Sequence, residues 1–286
     1  MHVPNELRMM TIHAHPDDES SKGAGSVALY SDAGVKATLV CCTGGEEGDI
    51  LNPAMDLPEV RENIGAVRRE ELAKAAKIIG YRDVHYLGYR DSGMPESEAN
   101  NNPDCFANAP LDEAVERLVR LIREEKPHVI VTYPDDQQGY QHPDHLKVFD
   151  ISIPAWEAAG DPTKFLQSGD PWTPLKLYYT TWSRARIEAL HAMFKKLELE
   201  SPFNDAWFDR PSQDHRITTK INVSDHSQRR TDALLAHATQ VDPESPFWFG
   251  LPSDKSAEAY PWDDYILAFN RAGPIGEEKD LFEGIR

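Results

Sequence analysis

Over its first 160 residues the chain alternates short apolar runs with amphipathic stretches, and this alternation restricts the fold more than any other feature. The spacing predicts strands over Leu7–His13, Lys36–Cys42, Val84–Leu87 and His128–Thr132. It predicts helices over Ser21–Ala33, Glu62–Ile79, Leu111–Glu125 and His145–Ala158, three of them closed by Gly34, Gly80 and Pro127. Strands alternating with helices predict an α/β fold: a Rossmann-like, mostly parallel sheet with helices on both faces. The rest is less regular, with a strand over Leu175–Thr181 and helices over Arg184–Leu199 and Asp225–Gln240. It reads as a smaller C-terminal α/β portion. Gly160–Pro174, rich in Pro, Gly and Asp, is the join between parts 1–160 and 161–286 of one compact body.

Charge narrows the function classes. Against 30 basic residues stand 48 acidic ones, a net charge of −18. Such a surface repels phosphate backbones and anionic membranes, so no nucleic-acid or membrane partner is expected. No apolar stretch approaches the roughly 20 residues of a membrane span. Met1–Glu6 lacks a basic region followed by an apolar one, so no secretion signal is expected. Three cysteines, two of them adjacent, make no disulfide framework, and Cys41-Cys42 reads as a pair of small core residues. A cytoplasmic enzyme with a small-molecule substrate fits these features.

Two clusters carry the chemistry. His15-Pro16-Asp17-Asp18-Glu19 follows the first strand, and His142-Pro143-Asp144-His145 follows the strand over His128–Thr132. Ligands of parallel α/β sheets bind outside the carboxyl ends of the strands. His15 and Asp18, three apart at a helix start, share a face and can converge on one ion. Asp17 then remains free to act as a base. The alternative is that both aspartates only cap the helix. One histidine and the aspartate from the first cluster, with one histidine from the second, make three ligands and leave a position open, the mark of a catalytic zinc site. The spare His142, oriented by Asp144, can donate a proton, and Tyr140 can add an O–H donor for an oxyanion. Together these are the parts of metal-assisted hydrolysis. Ferrous iron suits the same ligands nearly as well as zinc.

Gly44–Arg61 and Tyr89–Pro110 are too long for passive turns and read as active-site walls. His85, His128, His191 and His237 read as structural or surface groups. Phe247-Trp248-Phe249 reads as a core or rim cluster able to hold an apolar group, and the acidic Gly276–Asp280 as solvated surface.

Ala14–Glu19 with Gly139–His145 resembles the LmbE-like zinc-dependent N-deacetylase superfamily. Glu19–Gly23, Thr43–Glu46, Ile50–Asp56, Asp91–Gly93 and Ala236–Gln240 are similar to its mycothiol S-conjugate amidase branch, over essentially the whole chain. The resemblance implies hydrolysis of the amide bond of a mycothiol S-conjugate to a mercapturic acid and glucosaminyl-inositol, in detoxification. It implies zinc on His15, Asp18 and His145, and places the catalytic part in 1–160, with 161–286 completing the cleft. It implies Asp17 as general base for the attacking water, and His142 as general acid with Asp144 behind it. Tyr140 assists at the oxyanion. Glu46, Arg68 and Asp91 match substrate-binding residues of the related deacetylase. Lys22 stands where that deacetylase typically lacks a lysine, and implies a contact to the cysteine-derived part of the conjugate. The alternatives are the N-acetylglucosaminyl-inositol deacetylase of mycothiol biosynthesis and a non-catalytic carbohydrate-binding module. Lys22 and Asn52–Asp56 speak against the first, Asp17 and His142 against the second. One departure falls in the loop before Tyr140, where Gln138 replaces a glycine and the segment is one residue longer.

Overall fold

A computed structural model describes residues 6–137, 139–274 and 278–286. Met1–Asn5, Gln138 and the start of the acidic Gly276–Asp280 stretch lie outside the described residues.

Seven strands form one sheet among these residues: β1 (Arg8–His13), β2 (Lys36–Thr43), β3 (Asp83–Tyr89), β4 (Val129–Thr132), β5 (Lys176–Thr181), β6 (Thr219–Asn222) and β7 (Trp262–Asn270). Their order is β3-β2-β1-β4-β5-β7-β6. The first five run parallel, and β7 lies antiparallel to both β5 and β6. The predicted α/β architecture is therefore present, and the C-terminal portion extends the same sheet. Strand order reverses between β1 and β4, and in open α/β sheets the crevice at such a point takes the ligand.

The helices are α1 (Asp18–Ser21), α2 (Ala24–Asp32), α3 (Pro58–Glu62), α4 (Ile64–Ile79), α5 (Leu111–Glu125), α6 (Pro143–Ala159), α7 (Arg184–Lys196), α8 (Asp205–Phe208), α9 (Ser227–Ala236), α10 (Pro246–Phe249) and α11 (Ser253–Ala259). Alternation along β1 splits the core. Met10 and Ile12 join Leu118, Ile122, Val148 and Trp156 of α5 and α6 on one face. Met9 joins Tyr30, Leu72 and Ile79 of α2 and α4 on the other. Cys41 and Cys42 are buried free thiols, one in each core, as expected of small core residues. No helix is long and apolar enough to cross a membrane among the described residues.

Three sequence readings change. The single helix over Ser21–Ala33 is two helices, broken at Gly23, where φ is +87° and a Cβ would meet the Tyr265 hydroxyl at 2.8 Å. The helix over Asp225–Gln240 stops at Ala236, and His237 leaves helical geometry. The acidic Gly276–Asp280 stretch is not simply solvated. Glu278 is buried, pairs with the buried Lys176, and accepts from the Tyr178 and Thr219 hydroxyls at 2.9 and 2.8 Å.

Candidate metal centre and active site

β1 ends at His13 and delivers His15 into the crevice. Asp17 has a left-handed backbone, φ 113°, before α1, and its side chain makes no cap hydrogen bond. The capping alternative therefore fails. Asp18 instead turns back: its Oδ2 accepts the His15 backbone N–H at 3.0 Å and lies 3.4 Å from His15 Nδ1. From the far side, α6 brings His145 Nε2 to 3.3 Å of the same Asp18 oxygen. His15, Asp18 and His145 are all buried, with one donor atom from each within 4.8 Å of the others.

A second set overlaps the first through His15. Its Nε2 lies 3.1 Å from Asp144 Oδ2 and 3.5 Å from Asp91 Oδ1. His142 completes this group, its ring centroid 4.5 Å from that of His15. Asp144 is fully buried and accepts from both the backbone N–H (2.9 Å) and the hydroxyl of Ser92.

The electrostatics favour a cation here. Burial opposes protonation of His15, but Asp144, Asp18 and Asp91 outweigh it and raise its pKa well above the ordinary value. Burial also works to raise Asp18, but Lys22 and the two histidines outweigh it and hold the carboxylate ionised. Burial holds His145 down to about 4, so its imidazole is neutral and able to ligate. Imidazole and carboxylate donors packed this closely, with three carboxylates around one histidine, fit a divalent cation. His15, Asp18 and His145 would hold it, and Asp144 would orient His15 through the other ring nitrogen.

The remaining predicted residues fall around this centre. Asp17 keeps its side chain 31% exposed, enough to reach water, and Arg68 Nη2 lies 3.3 Å from its Oδ2. Burial and the neighbouring Asp18 push the Asp17 pKa up to about 6. Arg68, expected on the substrate, is buried and donates to Gly45 O and Pro16 O, so it braces the Asp17 turn. Asp91 is buried beside His15 and accepts the Gly93 N–H at 2.8 Å. Glu46 accepts the Asp91 N–H at 3.1 Å and borders a shallow opening with Asn63 and Arg90. Lys22 ion-pairs with Asp18 Oδ1 and stands over the Tyr133 ring, 5.6 Å from its centroid. Tyr140 is 52% exposed, its ring 5.1 Å from that of His145, and so forms the rim.

Asp144 differs from its expected role. Its carboxylate serves His15 and Ser92. The direct bond to His142 runs from the Asp144 backbone N–H to His142 Nδ1 at 3.2 Å, because His142 is the N-cap of α6. The cap leaves His142 Nε2 as its other ring nitrogen, and burial and the charge of His15 lower the pKa of the ring.

Sequence reasoning missed Ser92 and Tyr133 as supports, and the partner of His237, which it read only as a structural or surface group. Ser92 holds Asp144. Tyr133, just after β4, accepts the Ala14 N–H on its hydroxyl at 3.1 Å, tying the end of β4 to the first cluster. His237 is wholly buried and bonds Glu19 at 2.7 Å, and Glu19 accepts the Asp17 N–H at 3.0 Å. Glu19, the last residue of the first cluster, was the available signal.

Residues 10–156 match the family described as PIG-L: GlcNAc-PI de-N-acetylase. The chain belongs to that family. It is 43% identical to the mycothiol S-conjugate amidase of Streptomyces coelicolor, across 99% of each chain. It is 37% identical to the 1D-myo-inositol 2-acetamido-2-deoxy-alpha-D-glucopyranoside deacetylase of Streptomyces avermitilis, across 98% of each. Among solved structures, the N,N'-diacetylchitobiose deacetylase from Pyrococcus horikoshii shares the fold, with a TM-score of 0.61 at 16% identity, covering 92% of this chain and 84% of that one. The family member described here is accordingly a hydrolase of amide C–N bonds, in a family that is metal-dependent.

Proposed function

We propose that the chain is a zinc-dependent amidase of mycothiol S-conjugates, releasing a mercapturic acid and glucosaminyl-inositol in detoxification. The observation that carries this choice is Lys22, whose ammonium stands on the Asp18 carboxylate. A cation there meets the polar, cysteine-derived acyl part of a conjugate, which a simple acetyl group lacks. The higher identity to the amidase, over the full length, supports the same reading.

His15, Asp18 and His145 are the proposed ligands, for zinc or, in the cell, ferrous iron. A divalent cation there polarises a carbonyl and acidifies water. Asp17, partly exposed and braced by Arg68, takes the proton from the attacking water as general base. Water oxygen joins the carbonyl carbon, the C–N bond breaks, and the leaving nitrogen gains a proton. His142 supplies that proton as general acid from its protonated form, which its lowered pKa makes the minor form at neutral pH and which gives up the α6 cap bond to Nδ1. Tyr140 offers its hydroxyl to the carbonyl oxygen from the rim. Asp144 acts through His15. Glu46 and Asp91 border the sugar side, with Arg68 behind them.

The second reading is deacetylation of N-acetylglucosaminyl-inositol, favoured by the full-length similarity to that deacetylase. One assay separates the two: kcat/KM for a bimane conjugate of mycothiol and for N-acetylglucosaminyl-inositol, on one metal-reconstituted preparation. The proposal expects preference for the conjugate. Preference for the second substrate overturns it.

A further inference from the structure

A second charged cavity lies apart from the metal centre. It measures about 70 Å³, and none of the proposed metal ligands lines it. Arg186 of α7 and Arg230 of α9 face into it, beside Trp182, Phe247 and Trp248. The Arg230 side chain is half-buried, and its Nε is closed off from solvent with no hydrogen-bond partner among the described residues. Burial, then the charge of Arg186, lowers its pKa to about 9. Among the described residues Arg186 ion-pairs with Asp263 Oδ1, at 3.8 Å. That carboxylate is already shared, since its Oδ2 accepts from both the N–H and the hydroxyl of Ser26 at 2.9 Å. Two guanidinium groups therefore face one distant, partly occupied carboxylate.

A guanidinium carries five N–H donors, and a buried charge without a partner is strongly unfavourable. Aromatic stacking does not remove that need. Arg186 lies 4.6 Å from the Trp182 ring centroid, and Arg230 lies 5.6 Å from Trp182 and 6.0 Å from Trp248. Such packing uses the faces of the cations and leaves their N–H edges for an acceptor. Those edges form a fork that matches a carboxylate or phosphate. A water needs at least about 10–15 Å³ of such space, so the cavity has room for a compact anion.

We propose that Arg186 and Arg230 form a binding site for a small oxyanion, a carboxylate or phosphate group, separate from the catalytic centre. The site is tied to that centre through Trp182, whose indole N–H donates to Ser21 O at 3.2 Å, at the end of α1. Occupancy is thus readable in tryptophan fluorescence.

The test titrates the metal-loaded enzyme with inorganic phosphate and, separately, with acetate at constant ionic strength, following fluorescence and melting temperature. A ligand of the folded state raises the melting temperature. Arg230→Met should weaken the better anion by at least about tenfold, the loss of one charge-assisted hydrogen bond, with metal content unchanged. Tighter phosphate assigns a tetrahedral ligand, and tighter acetate a planar one. Arg230→Lys, which keeps the charge and loses the fork, should also bind more weakly and serves if Arg230→Met does not fold. Wild-type enzyme that responds to neither anion, or variants that bind as wild type does, overturn the proposal. The variant comparison also excludes anions bound at the metal, which Arg230 does not touch.

Discussion

Asp144 Oδ2 lies 3.1 Å from His15 Nε2, while Ser92 donates its backbone N–H to the same oxygen and its hydroxyl to Oδ1. The two residues are 129 positions apart in sequence, and the contact spans the β1–β4 crevice. Asp144 is therefore the group that fixes the ring of a proposed metal ligand. Removing such a partner typically lowers metal affinity by about 10–100-fold. Asp144→Ala should weaken zinc binding by this amount in competition with a chelator. Wild-type affinity in that variant would leave His15 oriented by something else.

Lys22 occupies the ion pair with Asp18 and the face of Tyr133. If it contacts the cysteine-derived part of the substrate, Lys22→Met should lower kcat/KM for the conjugate about tenfold more than for N-acetylglucosaminyl-inositol, the scale of one charge-assisted hydrogen bond. Steadying Asp18 alone would cost both substrates equally, and parallel losses would end the selectivity role.

Much of this was legible in the chain. β1 to β4 coincide with short apolar runs, and both histidine clusters follow strand ends, so His15, Asp18 and His145 could be placed together from the sequence. The partner of Asp144 was not, because the bond to His15 is made across the sheet and leaves no local pattern. β7 was hidden for a different reason. Asp263 and Asp264 interrupt its apolar alternation, yet both are buried in it, one accepting from Ser26 and the other from Ser183 and Tyr260. Glu278 escaped likewise, since its acidity read as surface while Lys176 waited 102 positions upstream.

His128 offers a test of stability that is independent of the metal. Its Nδ1 accepts the Arg8 N–H at 3.1 Å, and its ring packs edge-on to Trp172. Burial, then the charge of Arg8, lowers its pKa from 6.5 to about 4. Above 6.5 the ring is neutral folded or unfolded and contributes nothing. Between 6.5 and about 4 the unfolded chain binds a proton that the folded chain refuses, so stability falls as pH falls. Below about 4 the loss is complete. His128→Asn keeps an acceptor and removes the titration. Urea unfolding at both ends of this window should show a smaller drop in the variant than in wild type. Equal drops would place the acid sensitivity elsewhere.

The most direct test of the centre is one preparation of Asp17→Asn, assayed for metal content and turnover together. His15, Asp18 and His145 remain in this variant, so it should bind the same metal equivalent as wild type. Loss of a general base should lower kcat by about 10²–10⁴-fold. Near-normal turnover with full metal would contradict Asp17 as the base, and loss of the metal would contradict the separation of ligand from base.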